Sequence, residues 1–236
     1  MGTDIVLKVA GRPNEIELSG TRSSLIVAGF TSSDAAAVEH HIAELVAIGV
    51  PRPAEVPAFY PLDSGLLCLG GDALTAPASS SGEAEPILIR DEGSWYLGVG
   101  SDHTDREVER SSIQDSKAAC VKPIGDTVLA FPEGVPDGAA DAVWPTYELR
   151  CWVDEELYQQ GGIGLLRPPS DLLARLEASS ARAYASAQTL VVFCGTLPLL
   201  RGSFVLGREW RAELRCGDDV LELTYAIKNA TGQDAS

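Results

Sequence analysis

Residues 83–106 read EAEPILIRDEGSWYLGVGSDHTDR, and the rest of the chain is organised around this stretch. Residues 83–90 alternate and are rich in branched apolar types, Asp91-Glu92-Gly93-Ser94 is turn chemistry, and residues 95–100 read as a returning strand, which together predict a hairpin. A turn over those four residues, or over Glu92-Gly93 alone, sets Arg90 opposite Trp95, Leu88 opposite Leu97 and Glu83 opposite Asp102. Side chains two apart on a strand share a face, as do directly opposed residues, so Glu83, Glu85 and Asp102 are expected on one side. Like charges at that spacing repel. A hard divalent cation, Mg2+ or Mn2+, accounts for the cluster, because it takes oxygen ligands and keeps open water positions. The plain alternative is a solvated strand face, with Asp102 shaping the turn that follows.

The composition bounds what this hairpin can belong to. A chain of 236 residues can build a real core and suits one large β-rich domain or two small ones. With 45% hydrophobic and 22% charged residues and no apolar run long enough to span a bilayer, a soluble protein is expected. The opening MGTDIVLKVAGR has an early acid and lacks the basic-then-apolar order of a signal peptide, so the expected location is cytoplasmic. Cysteines 68, 120, 151, 194 and 216 form no C-x-x-C pair and leave an odd count, which reads as reduced, buried thiols. A net charge of −16 opposes phosphate backbones and anionic membranes, which argues against nucleic acid and membrane as partners.

Around the hairpin, short strands are expected at 4–10, 15–18 and 24–29, forming a small N-terminal β layer over 1–30 ahead of a main unit over 31–236. Ser32, Ser33 and Asp34 offer caps for a helix over 34–48, with Val38, Ile42 and Leu45 on one stripe and Gly49 and Pro51 to end it. His41 and Glu44 are three apart on this helix and so side by side. They read either as a surface ion pair or as a dyad in which the carboxylate orients the imidazole and raises its basicity. Residues 51–64 are proline-rich and suit a connection or lid. Residues 78–82 (ASSSG) read as a flexible loop, 126–147 as loop, 148–154 as a strand and 172–185 as a second helix. A buried strand over 189–194 delivers Gly195-Thr196 at its end, and 209–227 alternates as two half-buried strands joined near 216–218. A lone lysine such as Lys117 is normally solvent-facing.

Taken together these pieces resemble the fumarylacetoacetate hydrolase superfamily from about residue 34 onward. Glu83-Ala84-Glu85 is similar to that family's E-x-E metal pair, and Gly100-Ser101-Asp102-His103-Thr104-Asp105-Arg106-Glu107 to its G-x-x-N-D-x-S/T-A-R-D segment, which supplies a third metal carboxylate and an arginine. Ser116-Lys117 through Pro123-Ile124-Gly125 resembles the G-K-x-x…P-x-G segment, Cys194-Gly195-Thr196 the T-G-T strand end, and His40-His41-Ile42-Ala43-Glu44 the N-Y-x-x-H-x-x-E segment of a mobile lid helix. Several positions depart from the pattern: Ser101 stands for Asn, Cys194 for the first Thr, Leu197 for the following Pro, and Glu109 for a glutamine downstream of the arginine. The Asn-Tyr before the dyad is absent, and the stretch between E-x-E and the aspartate is short.

The resemblance implies an α+β fold that is predominantly β, a mixed β-roll with few helices, and usually a homodimer. It further implies a metal-dependent hydrolase or lyase cleaving a carbon–carbon bond in a small 1,3-dicarbonyl or 2-oxo acid, of the acylpyruvate hydrolase or decarboxylase type. Glu83, Glu85 and Asp102 would hold Mg2+ or Mn2+, Lys117 would stabilise the developing oxyanion, and Thr196 would fix the substrate carboxylate. His41 backed by Glu44 would move the proton, and Arg106 either contacts the site or braces Asp102. An isomerase or hydratase of unsaturated 2-oxo acids, or a non-catalytic binding protein, uses the same residues and stays open.

Overall fold

The structure is a computed structural model that describes residues 4–19, 22–47, 52–71, 73–132 and 134–229, without the side chains of residues 41, 44, 45 and 229. In chain order the described elements begin with β1 (Ile5–Val9), β2 (Glu15–Leu18), β3 (Ser23–Gly29), α1 (Ala35–Ala47) and β4 (Ala58–Leu62). Next come β5 (Leu67–Leu69), β6 (Leu74–Ala76), β7 (Ser80–Ser81), β8 (Ala84–Asp91), β9 (Ser94–Ser101) and β10 (Thr104–Asp105). The middle of the chain gives α2 (Ile113–Ala118), β11 (Lys122–Ile124), β12 (Thr127–Ala130), β13 (Glu148–Val153) and β14 (Glu156–Gly162). Last are α3 (Pro169–Ala178), α4 (Arg182–Ala185), β15 (Thr189–Phe193), β16 (Glu209–Cys216) and β17 (Asp219–Asn229). The α+β, strand-dominated architecture expected from the sequence is what the structure shows.

A ten-stranded sheet runs β2-β1-β12-β9-β8-β15-β3-β4, with β11 bridging β9 and β5 at one end. The hairpin of β8 and β9 lies at its centre in the expected register: Leu88 faces Leu97 and Arg90 faces Trp95. The turn is the two-residue Glu92-Gly93, both with positive φ (47° and 87°), a mirror-image turn whose twist matches the strands it joins. Strict alternation then sorts the hairpin's side chains. Leu88, Leu97 and Val99 face a core shared with the second, five-stranded sheet β14-β13-β16-β17-β6, where Leu149, Trp210, Leu214, Leu223 and Tyr225 are buried. Ile87, Ile89 and Tyr96 face the opposite core with Leu7, Leu25, Val27 and Phe193. The central sheet is thus buried on both faces, which is why its strands read as continuous apolar runs. The strands of the first thirty residues are part of it: β3 pairs with β15 and β4, and β1 with β12.

Four local expectations are corrected. Part of the proline-rich stretch forms β4, an edge strand on β3, where a proline is tolerated. Residues 127–130 are a strand between β1 and β9, not loop; four residues carry little pattern of their own, and both partners are distant in sequence. The serine-rich loop holds β7, paired with β10 and buried, because the Ser80 hydroxyl finds partners in the Pro77 carbonyl (2.6 Å) and the His103 ring (2.9 Å). The second helix begins at Pro169 and breaks after Ala178, where the Ser179 hydroxyl donates to the Leu176 carbonyl and accepts from the Ala181 amide, closing a local turn that competes with helix. Among the described residues, no helix is long and apolar enough to cross a membrane.

Candidate functional site

Because β8 runs antiparallel to both neighbours, its first residues lie beside the last residues of β9 and β15, and the candidate site forms where these three ends meet. The Asp102 amide donates to the Glu83 carbonyl (2.9 Å), so the hairpin register continues past the strands and sets Glu83 opposite Asp102. Glu85 is opposite Gly100, where a side chain would collide with Phe193 and Ile87; the glycine leaves room on this face. Glu85 and Asp102 are buried and Glu83 is nearly so, with 14% of its side chain exposed. These are not solvated carboxylates.

Each carboxylate has a specific partner. One oxygen of Glu85 accepts from the Gly195 amide (2.8 Å), just past the end of β15. Gly195 has φ +97° and packs so closely on Thr31 that a Cβ could not fit, so only glycine presents its amide this way. Asp102 is hydrogen-bonded by Lys117, delivered by α2, whose N-cap Ser112 accepts from the Asp115 amide. Lys122 stands 3.4 Å from the other Asp102 oxygen, Oδ1, which has no hydrogen-bond partner among the described residues. Glu83 accepts from Arg106 (2.9 Å), which also donates to Ser81 Oγ (2.7 Å) and Glu109 (2.9 Å). Arg106 therefore braces Glu83, whereas bracing of Asp102 was one of its two expected roles; the lysines pair with Asp102 instead.

Burial works to raise Asp102, but Lys117 and Lys122 beside it hold its carboxyl down to about 2. Burial and the neighbouring Asp102 push Glu85 well above the usual carboxylate range. The pair is thus asymmetric: the lysines favour the charged form of Asp102, while burial and Asp102 disfavour the charged form of Glu85. Burial works against the Lys117 ammonium, but Asp102, Glu83 and Glu85 together raise its pKa.

Thr196, the residue expected to fix a substrate carboxylate, is part-buried; its hydroxyl donates to the Ala84 carbonyl (3.2 Å) and accepts from Gln159 (2.6 Å). Gln159, on β14, had not been singled out in the sequence. Its amide also accepts from the Ala84 amide (2.9 Å) and donates to the Leu197 carbonyl (2.9 Å), stitching the start of β8 to the segment after β15. No local pattern marks it: β14 reads ELYQQGG, and a bulge against β13 leaves Tyr158 and Gln159 buried in succession instead of alternating. His103 was also given no role. It is fully buried between Ser80 and Tyr225 (2.9 and 3.2 Å), and Tyr225 in turn bonds Ser101 (2.8 Å). Burial, then the charges of Lys122 and Arg106, lower its pKa to about 3, so it is a neutral hydrogen-bonding element. The His41 and Glu44 side chains lie outside those the structure describes; α1, which carries them, is capped by Asp34 accepting from the Ala36 and Ala37 amides.

As the side chains stand, no three carboxylate, histidine or cysteine groups among the described residues are assembled as a metal-ligand set. Glu83 is turned to Arg106 and Asp102 to Lys117. The donor chemistry nevertheless fits a hard cation: all oxygens, two of three carboxylates buried, and Asp102 Oδ1 lacking a hydrogen bond.

The sequence profile of the family described as "Protein of unknown function (DUF2848)" matches residues 28–225. No curated protein matches the chain. Among solved structures, it is similar to fumarylpyruvate hydrolase from Pseudomonas aeruginosa in complex with Mn2+ and pyruvate, with 17% identity and a TM-score of 0.64 over 95% of each chain. It is also similar to maleylpyruvate hydrolase from Sphingobium sp. SYK-6 (15% identity, TM-score 0.53, 87% of this chain and 71% of that one). A third similar structure is 2-hydroxyhepta-2,4-diene-1,7-dioate isomerase from Mycobacterium marinum (14%, 0.55, 94% and 82%). The fold is the fumarylacetoacetate hydrolase fold, as the sequence motifs implied.

Proposed function

The chain belongs to the DUF2848 family, and from that premise, its fold and its carboxylate cluster, we propose that it is a Mg2+- or Mn2+-dependent hydrolase or lyase that cleaves a carbon–carbon bond in a small 1,3-dicarbonyl or 2-oxo acid. The observation that carries this reading is the meeting of Glu83, Glu85 and Asp102 at the joined ends of β8, β9 and β15, caged by cations. Support comes from the same fold in a fumarylpyruvate hydrolase solved with Mn2+ and pyruvate. When bound by the three carboxylates, the cation would supply Lewis acidity toward the 2-oxo and carboxylate oxygens of the substrate.

The chain's own residues supply the rest of this reading. Lys117, its ammonium beside Asp102, donates to an oxygen that gains charge as the bond breaks. The Gly195 amide and Gln159 keep Glu85, Ala84 and Thr196 in place, and Arg106 orients Glu83. His41, backed by Glu44, takes the proton from water. The reading includes a homodimer in the cytoplasm. A direct test follows the loss of the enol absorbance of 2,4-dioxo acids with Mn2+ and with chelator, products being identified by NMR. Metal-dependent release of pyruvate supports carbon–carbon cleavage; a product of unchanged carbon count points to isomerisation, and absence of turnover across the series contradicts the proposal.

A further inference from the structure

Resting on that reading, the structure carries an inference about the far end of the substrate. Among the described residues, three cations act on the carboxylate cluster, and none is left for a second substrate carboxylate: Lys117 serves the reacting oxygen in that reading, and the other two are taken up by the protein. Lys122 is fully buried and donates to the carbonyls of His103 (2.6 Å), Lys117 (2.5 Å) and Cys120 (3.1 Å). Lys117 is bound to Asp102. Arg106 has its Nε on Ser81, one terminal nitrogen on Glu109 and the other on Glu83 and the Ser81 carbonyl (3.4 Å), so its edge is fully used.

The face of Arg106 is covered as well. Its guanidinium lies 3.5 Å from the centroid of the Phe204 ring, which is 45% exposed and so closes the cation off from solvent on that side. The segment bearing Phe204 is tied to β14 at its start: Leu199 bridges to Gln159, the Leu200 amide donates to the Tyr158 carbonyl (3.0 Å), and Arg201 pairs at the surface with Glu156 (2.7 Å). The same segment also carries Leu200 and Leu206, each more than half exposed. On the side of Lys117 stands Tyr60, its ring centroid 5.7 Å from the ammonium.

A second carboxylate on the substrate would therefore meet an arginine whose donors and face are taken, next to Glu83 and Glu109, on a chain of net charge −16. Freeing Arg106 for it would take from Glu109 its partner and from Glu83 the donor that orients it. We propose that the substrate is a 2-oxo acid with a single carboxylate and an uncharged, apolar distal group that packs on Phe204, and that Phe204 determines this specificity. The similar structures whose names specify dicarboxylic compounds mark the contrast.

The test is displacement of oxalate from the Mn2+-loaded full chain, followed by calorimetry, with 4-phenyl-2,4-dioxobutanoate and fumarylpyruvate as probes. The expected result is binding of the phenyl compound about tenfold tighter, of the order one aromatic packing contact provides. Phe204→Ala abolishes that preference, Phe204→Leu keeps most of it, and Mn2+ and oxalate affinities stay the same in both. Equal or tighter binding of fumarylpyruvate, or a preference unchanged in Phe204→Ala, overturns the inference while leaving the cation site standing. If neither Mn2+ nor oxalate binds the wild-type chain, the parent reading fails and this one falls with it.

Discussion

Glu83 and Asp102 face each other across the hairpin, the Asp102 amide donating to the Glu83 carbonyl at 2.9 Å, yet their carboxylates are held by different cations: Glu83 by Arg106, Asp102 by Lys117 and Lys122. Two like charges set opposite each other are tolerated because the fold brings a separate counter-charge to each. This arrangement makes the members of the cluster unequal in what their removal costs.

Asp102→Asn leaves two buried ammonium groups without their carboxylate and is expected to lower stability by about 3–5 kcal/mol. Glu85→Gln keeps an oxygen for the Gly195 amide and puts a neutral amide where burial and Asp102 already push the carboxyl toward its neutral form, so it is expected to fall within about 1 kcal/mol of wild type. Urea unfolding of the two variants checks the contrast; equal losses would show that the lysines do not depend on Asp102.

Gly195→Ala places a methyl group into Thr31 at a positive φ, and the amide that holds Glu85 must move. A loss of about 2 kcal/mol or more is expected from the strain and overpacking together. Thr31→Ser in the same background should recover little, because Thr31 Oγ1, which serine keeps, is the atom nearest the added methyl. Substantial recovery would mean that the clash is with the Thr31 methyl alone.

Gln159→Leu removes bonds to Ala84, Thr196 and Leu197 at once, leaving buried polar groups without partners. About 2–3 kcal/mol of destabilisation is expected, with hydrogen exchange at the Ala84 amide accelerated beyond that of the β8 interior. Exchange unchanged at Ala84 would show that the backbone alone holds the start of β8.

All five cysteines are free. Burial pushes Cys68 and Cys120 up to about 11 and Cys151 and Cys216 up to about 12. The thiolate is the reactive form, so a raised pKa means slow alkylation by iodoacetamide at pH 8, rising as the pH approaches 11. Denaturant should expose all five to rapid labelling. A cysteine labelled quickly in the native chain at pH 8 contradicts its burial.

The hairpin was legible because two local signals agree there: a two-residue turn able to take positive φ, and apolar runs rich in branched residues on either side of it. The last two strands were legible by their alternation, with Gly217 at positive φ between them. β4, β7 and β12 were not, since each is short and acquires its partner from a distant part of the chain. In the candidate site, the sequence could nominate Glu83, Glu85, Asp102 and Lys117, which the fold brings together, but not the partner each would take. Lys122 looks like any surface lysine until the carbonyls of His103, Lys117 and Cys120 are seen to surround it. Gln159 and the His103–Tyr225 pair likewise depend on β14 and β17 packing beneath the hairpin. Such hydrogen bonds join residues more than seventy positions apart, and no local period records them.

The central claim is that the carboxylate cluster is a cation site. Calorimetric titration of the chelator-stripped chain with Mg2+ and Mn2+, with and without oxalate, wild type beside Glu85→Gln, tests it most directly. The account predicts binding that oxalate strengthens and that Glu85→Gln abolishes while the variant stays folded. Absence of binding in the folded wild-type chain, or binding that survives Glu85→Gln unchanged, would contradict it.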